Sequence, residues 1–337
     1  MKALVYTGPR GLEVRECPDP VAAADRVVLK VVAAGVCGSD LDGYTGTNGR
    51  RKPGQIMGHE AVGVVTHAHE AHADLVGQTM TFTPILACGQ CPQCRAGFDN
   101  RCATRQLIGV HLDLPGAFAE SVQVPVANLV PWRDPSQVVG TLVEPLAVAW
   151  RAVSALGNDV RGPVLVLGAG TIGALTALTL RERLGVTVDI YDPVTWKADW
   201  LETLSIRSLG ELPLASLQPS TDAVDRKYAV VVDCVGSTAS LRTAVDQVDT
   251  GGRIHVVGMA TPTTEFPAQQ MVSREITITT SYAYTREMFR AAAESAADLV
   301  PSLSLMQPVV CGLQDAAEHF EALLDKNSRI RKVVICP

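Results

Sequence analysis

The sequence of 337 residues predicts an α/β protein with two domains. A chain of this length corresponds to about two domains of ~150 residues each. In the first ~150 residues, β-branched and alternating segments at 27–36, 61–68 and 118–125 predict a barrel-like β domain. After Pro163, apolar strand segments alternate with helical ones. This alternation predicts a doubly wound sheet of parallel strands.

The boundary between the two patterns falls near residue 141, where the segment 141–156 has apolar residues at helical spacing. The strands of the second domain are predicted at 164–167, 186–192, 228–236 and 251–259. After ~285 the pattern predicts helix and a closing strand at 332–334. We therefore expect one domain from 1–148 and 285–337, and a second from 149–284.

Composition restricts the class of function. Charged residues make up 19% and the net charge is −6, and we see no basic run of the kind that binds nucleic acid. No apolar run of about 20 residues indicates a membrane span, and the start of the chain does not resemble a secretion signal. We expect a cytoplasmic protein that binds neither nucleic acid nor membrane.

Four cysteines with the spacing C-x2-C-x2-C-x7-C predict a closed structural zinc site in a lobe at 88–102. A set of incidental cysteines, two disulfides and an iron–sulfur cluster are the alternatives. In a reducing compartment, closely spaced cysteines are more often metal ligands than disulfides, and the ferredoxin spacings differ from this one. The ligands are Cys88, Cys91, Cys94 and Cys102.

A glycine turn at 168–173 has the G-x-G-x-x-G spacing, after a predicted strand and before an apolar helix, which is the context of a Rossmann dinucleotide site. Gly168 permits the turn, Gly170 lets the backbone approach a pyrophosphate, and Gly173 allows close packing. Asp192 can bind both ribose hydroxyls and repels a 2′-phosphate, which favours NAD over NADP. A glycine turn without cofactor is the alternative. The predicted cofactor residues are Gly168, Gly170, Thr171, Ile172, Gly173, Asp192, Lys197, Val235 and Gly258.

A second set of metal ligands is predicted outside the cysteine lobe. Cys37 lies in Cys-Gly-Ser-Asp after a strand, His59 and Glu60 lie in Gly-His-Glu, and Glu144 lies in Val-Glu-Pro. A thiolate, an imidazole and one or two carboxylates suit a zinc site with a free position. A zinc ion with a free position binds an alcohol and lowers its pKa, as it does for water.

Taken in order, these motifs resemble those of the zinc-dependent medium-chain alcohol dehydrogenases, in the sorbitol (polyol) dehydrogenase branch. Gly-x-Phe-Ala-Glu at 116–120 and Gly251-Gly252-Arg253 also match. The resemblance covers essentially the whole chain. It implies a GroES-like β-barrel catalytic domain, an inserted Rossmann domain and a cleft between them, with two zinc ions per chain and NAD as cofactors.

The resemblance also implies roles for individual residues. Cys37 and His59 match direct ligands of the catalytic zinc, Glu60 a direct or water-mediated ligand, and Glu144 a further carboxylate near the metal. Ser39 matches the hydroxyl that binds the substrate alcohol and starts proton release. The predicted catalytic residues are Ser39, Asp42, Cys37, His59 and Glu60, and the predicted substrate residues are Ser39, Tyr44, Phe118, Glu144 and Tyr284.

Two positions depart from the family pattern. Asp42 stands where many relatives have a histidine on the proton path, so either Asp42 accepts the proton or it is a solvated carboxylate. Polyol dehydrogenases tend to carry an Arg-Tyr pair, whereas the matching stretch Ser281–Tyr284 keeps the tyrosine and lacks the arginine. Sorbitol itself is therefore not implied as the substrate.

The resemblance implies reversible oxidation of a secondary alcohol, a polyol, sugar or cyclitol, to its ketone by a homo-oligomer, either dimer or tetramer. A dehydrogenase of a specialised biosynthetic alcohol such as an aminocyclitol is the first alternative, because such enzymes share the stretch at 143–149. A zinc-free reductase would lack both metal sets. A non-catalytic NAD-binding protein would be expected to lose Cys37, His59 or Ser39, and all three are present.

Overall fold

The computed structural model describes residues 1–47, 49–212, 228–325 and 327–337. These residues form two compact units. The first comprises Met1–Ala147 and Tyr284–Pro337, and the second comprises Val148–Ala283. Within the described ranges, no helix has the length and apolar character needed to cross a membrane.

The strands of the described residues are β1 Lys2–Gly8, β2 Gly11–Glu16, β3 Arg26–Gly35, β4 Gln55–Ile56, β5 Glu60–His67, β6 Thr79–Phe82, β7 Ile85–Leu86, β8 Gln106–Leu107, β9 Ser121–Pro125, β10 Leu129–Pro131, β11 Val164–Leu167, β12 Val188–Tyr191, β13 Arg207–Leu209, β14 Tyr228–Asp233, β15 Val248–Val256, β16 Thr277–Thr280, β17 Val309–Cys311 and β18 Val333–Ile335.

The α-helices are α1 Gly38–Tyr44, α2 Pro92–Arg95, α3 Gln137–Gly140, α4 Val143–Leu156, α5 Thr171–Leu184, α6 Asp199–Glu202, α7 Thr238–Gln247, α8 Ala268–Ser273, α9 Arg286–Asp298, α10 Val300–Ser304 and α11 Ala316–Leu324. Short 3-10 helices span Glu70–Leu75, Asp99–Arg101, Val126–Asn128 and Thr195–Lys197.

The first unit is built on a mostly antiparallel sheet of seven strands. Its order is β10-β6-β5-β3-β18-β17, with β9 beside β3, and a smaller sheet has the order β2-β1-β4. Alternate side chains of these strands enter a core that includes Leu29, Phe82, Phe118 and Phe320. The long strand β3 is central, because it pairs with β5, β9 and β18.

The C-terminal end of β3 is where several residues predicted to be functional gather. Gly35 pairs with Glu60 at the start of β5 and with Val334 of β18. Two residues separate the end of β3 from helix α1, and the second of them, Cys37, is the N-cap residue of the helix. Side chains from three neighbouring strands and one helix therefore meet at a single edge of the sheet.

The second unit contains six parallel strands in the order β13-β12-β11-β14-β15-β16. Counted within the unit, this is the order 3-2-1-4-5-6 of a Rossmann sheet. Leu165, Val231 and Ile254 lie in its core. Ligands of such sheets bind beyond the carboxyl ends of the strands where the order reverses, here between β11 and β14.

The predicted fold class is therefore confirmed. Three of the four predicted Rossmann strands end earlier than predicted, and β11 has the predicted bounds. The predicted strand 228–236 ends at Asp233, because the Asp233 Oδ1 atom accepts hydrogen bonds from the amides of Val235 and Gly236 and turns the chain. The predicted strand 251–259 begins earlier, at Val248, and ends at Val256.

Candidate functional site

Cys37, His59 and Glu60 form a cluster of potential metal ligands in the first unit. Their donor atoms all lie within 4.8 Å of one another. His59 and Glu60 are buried and Cys37 is half-buried. A sulfur, a nitrogen and a carboxylate oxygen are the three kinds of donor that catalytic zinc sites use, so the residues present fit a zinc ion.

The turn before His59 depends on Gly58. Its φ is +97°, a left-handed conformation that favours glycine, and a Cβ atom there would lie 2.6 Å from Cδ1 of Phe118. The carbonyl of Gly58 accepts the amide of Ala117 at 2.9 Å. The chain can therefore pass close to 117–118 and bring His59 back toward Cys37.

A buried charge network supports His59. The Asp40 Oδ1 atom lies 3.6 Å from His59 Nδ1 and accepts a 2.9 Å hydrogen bond from Arg51 Nη2. Asp40 is fully buried, and its other oxygen accepts the amide of Cys37 at 3.2 Å. Gly43 makes room for this network, since a Cβ atom there would lie 2.3 Å from Arg51 Cγ. With Nδ1 next to Asp40, the Nε2 atom of His59 is left for a metal.

The same network shifts the pKa values of its members. Burial alone lowers the pKa of His59, but the Asp40 carboxylate and the Cys37 sulfur outweigh it and raise that pKa well above its usual range. Burial likewise opposes ionisation of Asp40, yet His59 and Arg51 keep its pKa below the ordinary value. The network thus holds a carboxylate anion beside the imidazole.

Glu60 has a cationic partner from the end of the chain. The Lys332 Nζ atom donates a hydrogen bond to Glu60 Oε2, and both side chains are buried. Burial lowers the pKa of Lys332, but Glu60 and the nearby Cys37 raise it overall. This pair lies inside the candidate metal centre.

Glu144, at the start of α4, is linked to Tyr284. The Tyr284 hydroxyl donates a 2.6 Å hydrogen bond to Glu144 Oε1. Burial raises the pKa of Glu144 to about 7, against the opposing effect of the His59 charge. Glu144 therefore lies close enough to His59 and Glu60 to interact with them electrostatically.

The predicted proton-transfer residues lie on the first turns of α1. Ser39 and Asp42 are exposed, and Ser39 is two residues from Cys37. Burial of part of its surface raises the pKa of Asp42, while Arg50 opposes the shift. The structure describes no hydrogen bond between these two side chains, so the relay stays a prediction.

Tyr44 and Phe118 lie in the hydrophobic core of the first unit. Both rings contact Phe320, at centroid distances of 5.2 Å and 6.0 Å. The Tyr44 hydroxyl donates to Glu321 Oε1 at 2.7 Å, and burial together with this carboxylate raises the pKa of Tyr44 to about 12. These contacts give both residues a packing role, and their contact with a substrate stays a prediction.

The four cysteines at 88–102 come together as their spacing predicts. All four sulfur atoms lie within 4.8 Å of one another. The Cys91–Cys94 and Cys88–Cys94 sulfur separations are 3.5 and 3.9 Å. A tetrahedron with Zn–S bonds of about 2.3 Å has edges of about 3.8 Å, so the group fits zinc. The Cys88 amide donates to Cys102 Sγ and lowers the pKa of that thiol to about 6, which favours the thiolate.

The glycine turn of the second unit follows β11 and precedes α5. Gly168 has φ +92°, and a Cβ atom at Gly173 would lie 1.7 Å from the Gly168 carbonyl oxygen. At Gly170 no described atom beyond its chain neighbours lies within 4 Å of a Cβ position. The amino end of α5 is thus open to a phosphate, and the turn fits a dinucleotide. Thr171 and Ile172, the first residues of α5, are half-buried.

Asp192 follows β12 and lies against this turn. Its Oδ2 atom accepts the amide of Ala169 at 2.9 Å, and its Oδ1 atom accepts the amide of Val194 at 2.9 Å. A carboxylate offers about four acceptor positions, so two remain for ribose hydroxyls. Lys197 is half-buried in the 3-10 helix that follows.

Val235 and Gly258 lie where β14 and β15 end. The two chain segments approach so closely that a Cβ atom at Gly258 would lie 2.1 Å from the Val235 carbonyl carbon. Val235 also lies against the glycine turn, with its Cγ2 atom 2.7 Å from a Cβ position at Gly168. Both predicted residues are thus next to the proposed dinucleotide position.

Sequence reasoning missed Asp40, Arg51 and Lys332 as members of the site. Asp40 was visible inside the Cys-Gly-Ser-Asp motif, where a carboxylate three residues after a ligand suggests support for the metal centre. Arg51 and Lys332 carry no comparable signal, because their contacts span 11 and 272 residues of sequence.

Comparison with known proteins identifies related dehydrogenases. Residues 23–134 match the model of the alcohol dehydrogenase GroES-like domain, and residues 208–298 match that of the zinc-binding dehydrogenases. The chain is 28% identical to L-galactonate-5-dehydrogenase of Escherichia coli K12 over 345 residues, covering 99% of this chain and 98% of the relative. It is 30% identical to L-threonine 3-dehydrogenase of Saccharopolyspora erythraea over 350 residues, covering 99% and 98%.

Among solved structures, L-idonate 5-dehydrogenase of Escherichia coli K-12 superposes with a TM-score of 0.88 at 24% identity, covering 100% of this chain and 98% of that one. At this identity the likeness concerns the fold.

Proposed function

We propose a reaction for this chain on one premise: it belongs to the zinc-dependent medium-chain alcohol dehydrogenase family, in the polyol-like branch. It is an NAD-dependent dehydrogenase that interconverts a secondary alcohol of the polyol or sugar class and its ketone. The observation that carries this assignment is the Cys37, His59 and Glu60 cluster, whose three donor atoms lie within 4.8 Å of one another.

We assign the catalytic metal to Cys37, His59 and Glu60, with Glu144 as a further carboxylate nearby. Zinc bound there would polarise the alcohol oxygen and favour loss of its proton. The Asp40 carboxylate lies 3.6 Å from His59 Nδ1, and Arg51 donates a hydrogen bond to Asp40. The ligand set is therefore arranged before the metal arrives, as outer-shell partners do in zinc enzymes.

The protein's own proton chemistry begins at Ser39. Its hydroxyl is exposed on α1 beside Cys37, where it can accept the substrate proton and pass it outward. Asp42, one turn further along α1, is the proposed second acceptor. The Gly168–Gly173 turn and Asp192 bind NAD, with the pyrophosphate at the start of α5 and the ribose at Asp192.

For the substrate, we propose a sugar acid or polyol that is oxidised at a secondary hydroxyl group. The similarity to L-galactonate-5-dehydrogenase over nearly the whole chain supports this class. A β-hydroxy amino acid is the second candidate, because the L-threonine 3-dehydrogenase relative is similar over an equal share of the chain. An aminocyclitol remains the alternative suggested by the stretch at 143–149.

The assignment is tested by NADH formation with purified, zinc-loaded protein and panels of aldonates, polyols, aminocyclitols and L-threonine. We expect turnover with an aldonate or polyol, and none with the Cys37→Ala variant, whose four-cysteine lobe is intact. Turnover that persists in Cys37→Ala would contradict the proposed metal centre. Turnover with L-threonine alone would contradict the proposed substrate class. It would remain consistent with the proposed metal centre.

We also propose that the protein is a cytoplasmic homo-oligomer, a dimer or tetramer. This proposal follows from the family resemblance. Light scattering of the purified protein measures the mass directly, and a monomeric mass of 35.8 kDa would contradict it.

A further inference from the structure

We propose that Lys332 is a positioning residue that leaves Glu60 only one oxygen for the catalytic metal, so that the metal keeps a free position for the substrate. This inference rests on the proposed function, because it takes Cys37, His59 and Glu60 as the ligands. It assigns a role to a residue at the end of the chain that lies outside the ligand set.

The contact itself is direct and enclosed. Lys332 Nζ donates to Glu60 Oε2, with the two side chains 2% and 1% exposed. A buried carboxylate without a partner is strongly destabilising. Separating Lys332 from Glu60 would leave two buried charges unpaired, so the two side chains stay in contact. One oxygen of Glu60 is therefore committed to an ammonium group.

Gly35 makes room for this contact. It lies between the two partners in the sheet, paired with Glu60 on β5 and with Val334 on β18. A Cβ atom at Gly35 would lie 2.4 Å from Glu60 Oε2 and 3.2 Å from Lys332 Cε. The lysine and glutamate side chains thus occupy the space that any larger residue at position 35 would fill.

The consequence for a metal follows from carboxylate chemistry. A carboxylate binds a cation through one oxygen or through both. A catalytic zinc site has three protein ligands and one open position. If both oxygens of Glu60 bound the metal, they would occupy the position that the substrate alcohol needs. Because Lys332 holds Oε2, the other oxygen is the one left to bind beside Cys37 and His59.

Cobalt(II) substitution tests the inference without relying on turnover. Four-coordinate Co²⁺ absorbs visible light more strongly than five-coordinate Co²⁺. We expect Lys332→Met to lose visible band intensity relative to the unmutated protein, since Glu60 is then free to bind through both oxygens. Lys332→Arg, which keeps a donor cation, should retain the intensity. The Cys37→Ala variant, treated identically, defines the contribution of the four-cysteine site.

Two further variants keep the test decisive. The double variant Glu60→Gln with Lys332→Met removes both charges and leaves a side chain with a single oxygen, so it should regain the intensity. Gly35→Ala pushes the partners apart while keeping both charges, and it should lose intensity as Lys332→Met does. It carries the test should Lys332→Met fail to fold.

The outcomes separate this inference from the proposed function. Equal spectra for Lys332→Met, Gly35→Ala and the unmutated protein would overturn the role of Lys332. A Glu60→Ala variant, which has no oxygen donor at position 60, should change the spectrum; an unchanged spectrum would overturn the role of Glu60 as a ligand, and with it the inference. Failure of the unmutated protein to bind Co²⁺ in a Cys37-dependent way would instead refute the proposed metal centre. In steady-state kinetics, Lys332→Met should raise KM for the alcohol and leave KM for NAD unchanged.

Discussion

The Tyr284 hydroxyl donates a 2.6 Å hydrogen bond to Glu144 Oε1, across 140 residues of sequence. Tyr284 is the first residue of the segment that returns to the first unit, and Glu144 lies at the start of α4. Burial raises the pKa of Glu144 to about 7, and the bond from Tyr284 acts in the opposite direction. The tyrosine thus favours the ionised form of a carboxyl group close to the proposed metal ligands.

Tyr284→Phe should therefore change both stability and pH dependence. Loss of a buried hydrogen bond to a carboxylate should lower the free energy of unfolding by about 1–3 kcal/mol. Without this bond the pKa of Glu144 rises further, so the acidic limb of the kcat/KM profile should move to higher pH. Tyr6→Phe, at another buried tyrosine of the first unit, is the control. If the acidic limb of the kcat/KM profile does not move, ionisation of Glu144 does not govern catalysis.

The two metal sites should differ in lability. Four thiolates would close the coordination of one zinc ion, whereas the proposed Cys37 site would keep an open position that small chelators can reach. We expect a chelator to abolish turnover before it changes the circular dichroism. Cys94→Ser should lose one equivalent of zinc and make the lobe at 88–102 sensitive to proteases, while Cys17→Ser should do neither. Full activity in zinc-free protein would contradict the mechanism.

The family and fold class predicted from motif order are confirmed, because both depend on local patterns. Glycine spacing, cysteine spacing and strand–helix alternation are properties of short segments that fold in a predictable way. The parallel direction of the strands in the second unit follows from the alternation of strands and helices along the sequence. The N-terminal hairpin β1–β2 was not predicted, since its segments show the strand pattern less clearly.

The supporting residues of the site could not be predicted in the same way. Arg51 reaches Asp40 only because Gly43 leaves space, and Lys332 reaches Glu60 only because Gly35 does. Each contact depends on a long-range strand pairing or turn and on the absence of one side chain elsewhere. A single sequence does not encode these long-range contacts in any local spacing, although its motifs do indicate the candidate ligands.

The glycine turn offers a matched pair of substitutions. At Gly173 a Cβ atom would lie 1.7 Å from the Gly168 carbonyl oxygen, so Gly173→Ala should lower the free energy of unfolding by at least about 1–3 kcal/mol. At Gly170 nothing described lies within 4 Å, so Gly170→Ala should leave stability unchanged. It should nevertheless weaken NADH binding by about tenfold or more, roughly 1.4 kcal/mol. Calorimetry measures the change in stability and NADH fluorescence measures the change in binding. Unweakened NADH binding in Gly170→Ala would contradict the placement of the pyrophosphate at this turn.

Ser39→Ala tests the start of the proton path. Ser39 is exposed and outside the ligand set, so zinc content and stability should be unchanged. A positioned proton-transfer group contributes roughly 10²–10⁴-fold, and we expect kcat to fall by that order. Asp42→Asn should lose rate most near neutral pH and recover with small buffer bases if Asp42 relays the proton. An unchanged pH–rate profile for Asp42→Asn would show that the proton leaves by another route.

His255 provides a pH prediction in the second unit. Its ring is fully buried in β15, with Nδ1 2.8 Å from Thr279 Oγ1 and Nε2 2.9 Å from Ser281 Oγ. Burial, with a smaller effect of the Arg151 charge, lowers the pKa of His255 from 6.5 to about 4. A neutral imidazole donates with one nitrogen and accepts with the other, so two hydroxyl groups satisfy it without a charge.

The sign of the effect follows from proton binding in the two states. Well above pH 6.5, His255 is neutral in both the folded and the unfolded chain, so its titration does not change the free energy of unfolding. As the pH falls from 6.5 toward about 4, the unfolded chain binds a proton that the folded chain refuses, so stability falls by about 1.4 kcal/mol per pH unit. His255→Gln removes this titration and should reduce the acid sensitivity of unfolding over that range, even if it lowers stability near pH 8. The Cε1–H resonance of His255, assigned by its disappearance in His255→Gln, should not shift through pH 6.5; titration there would show that the buried ring accepts a proton and would cancel the predicted loss of stability.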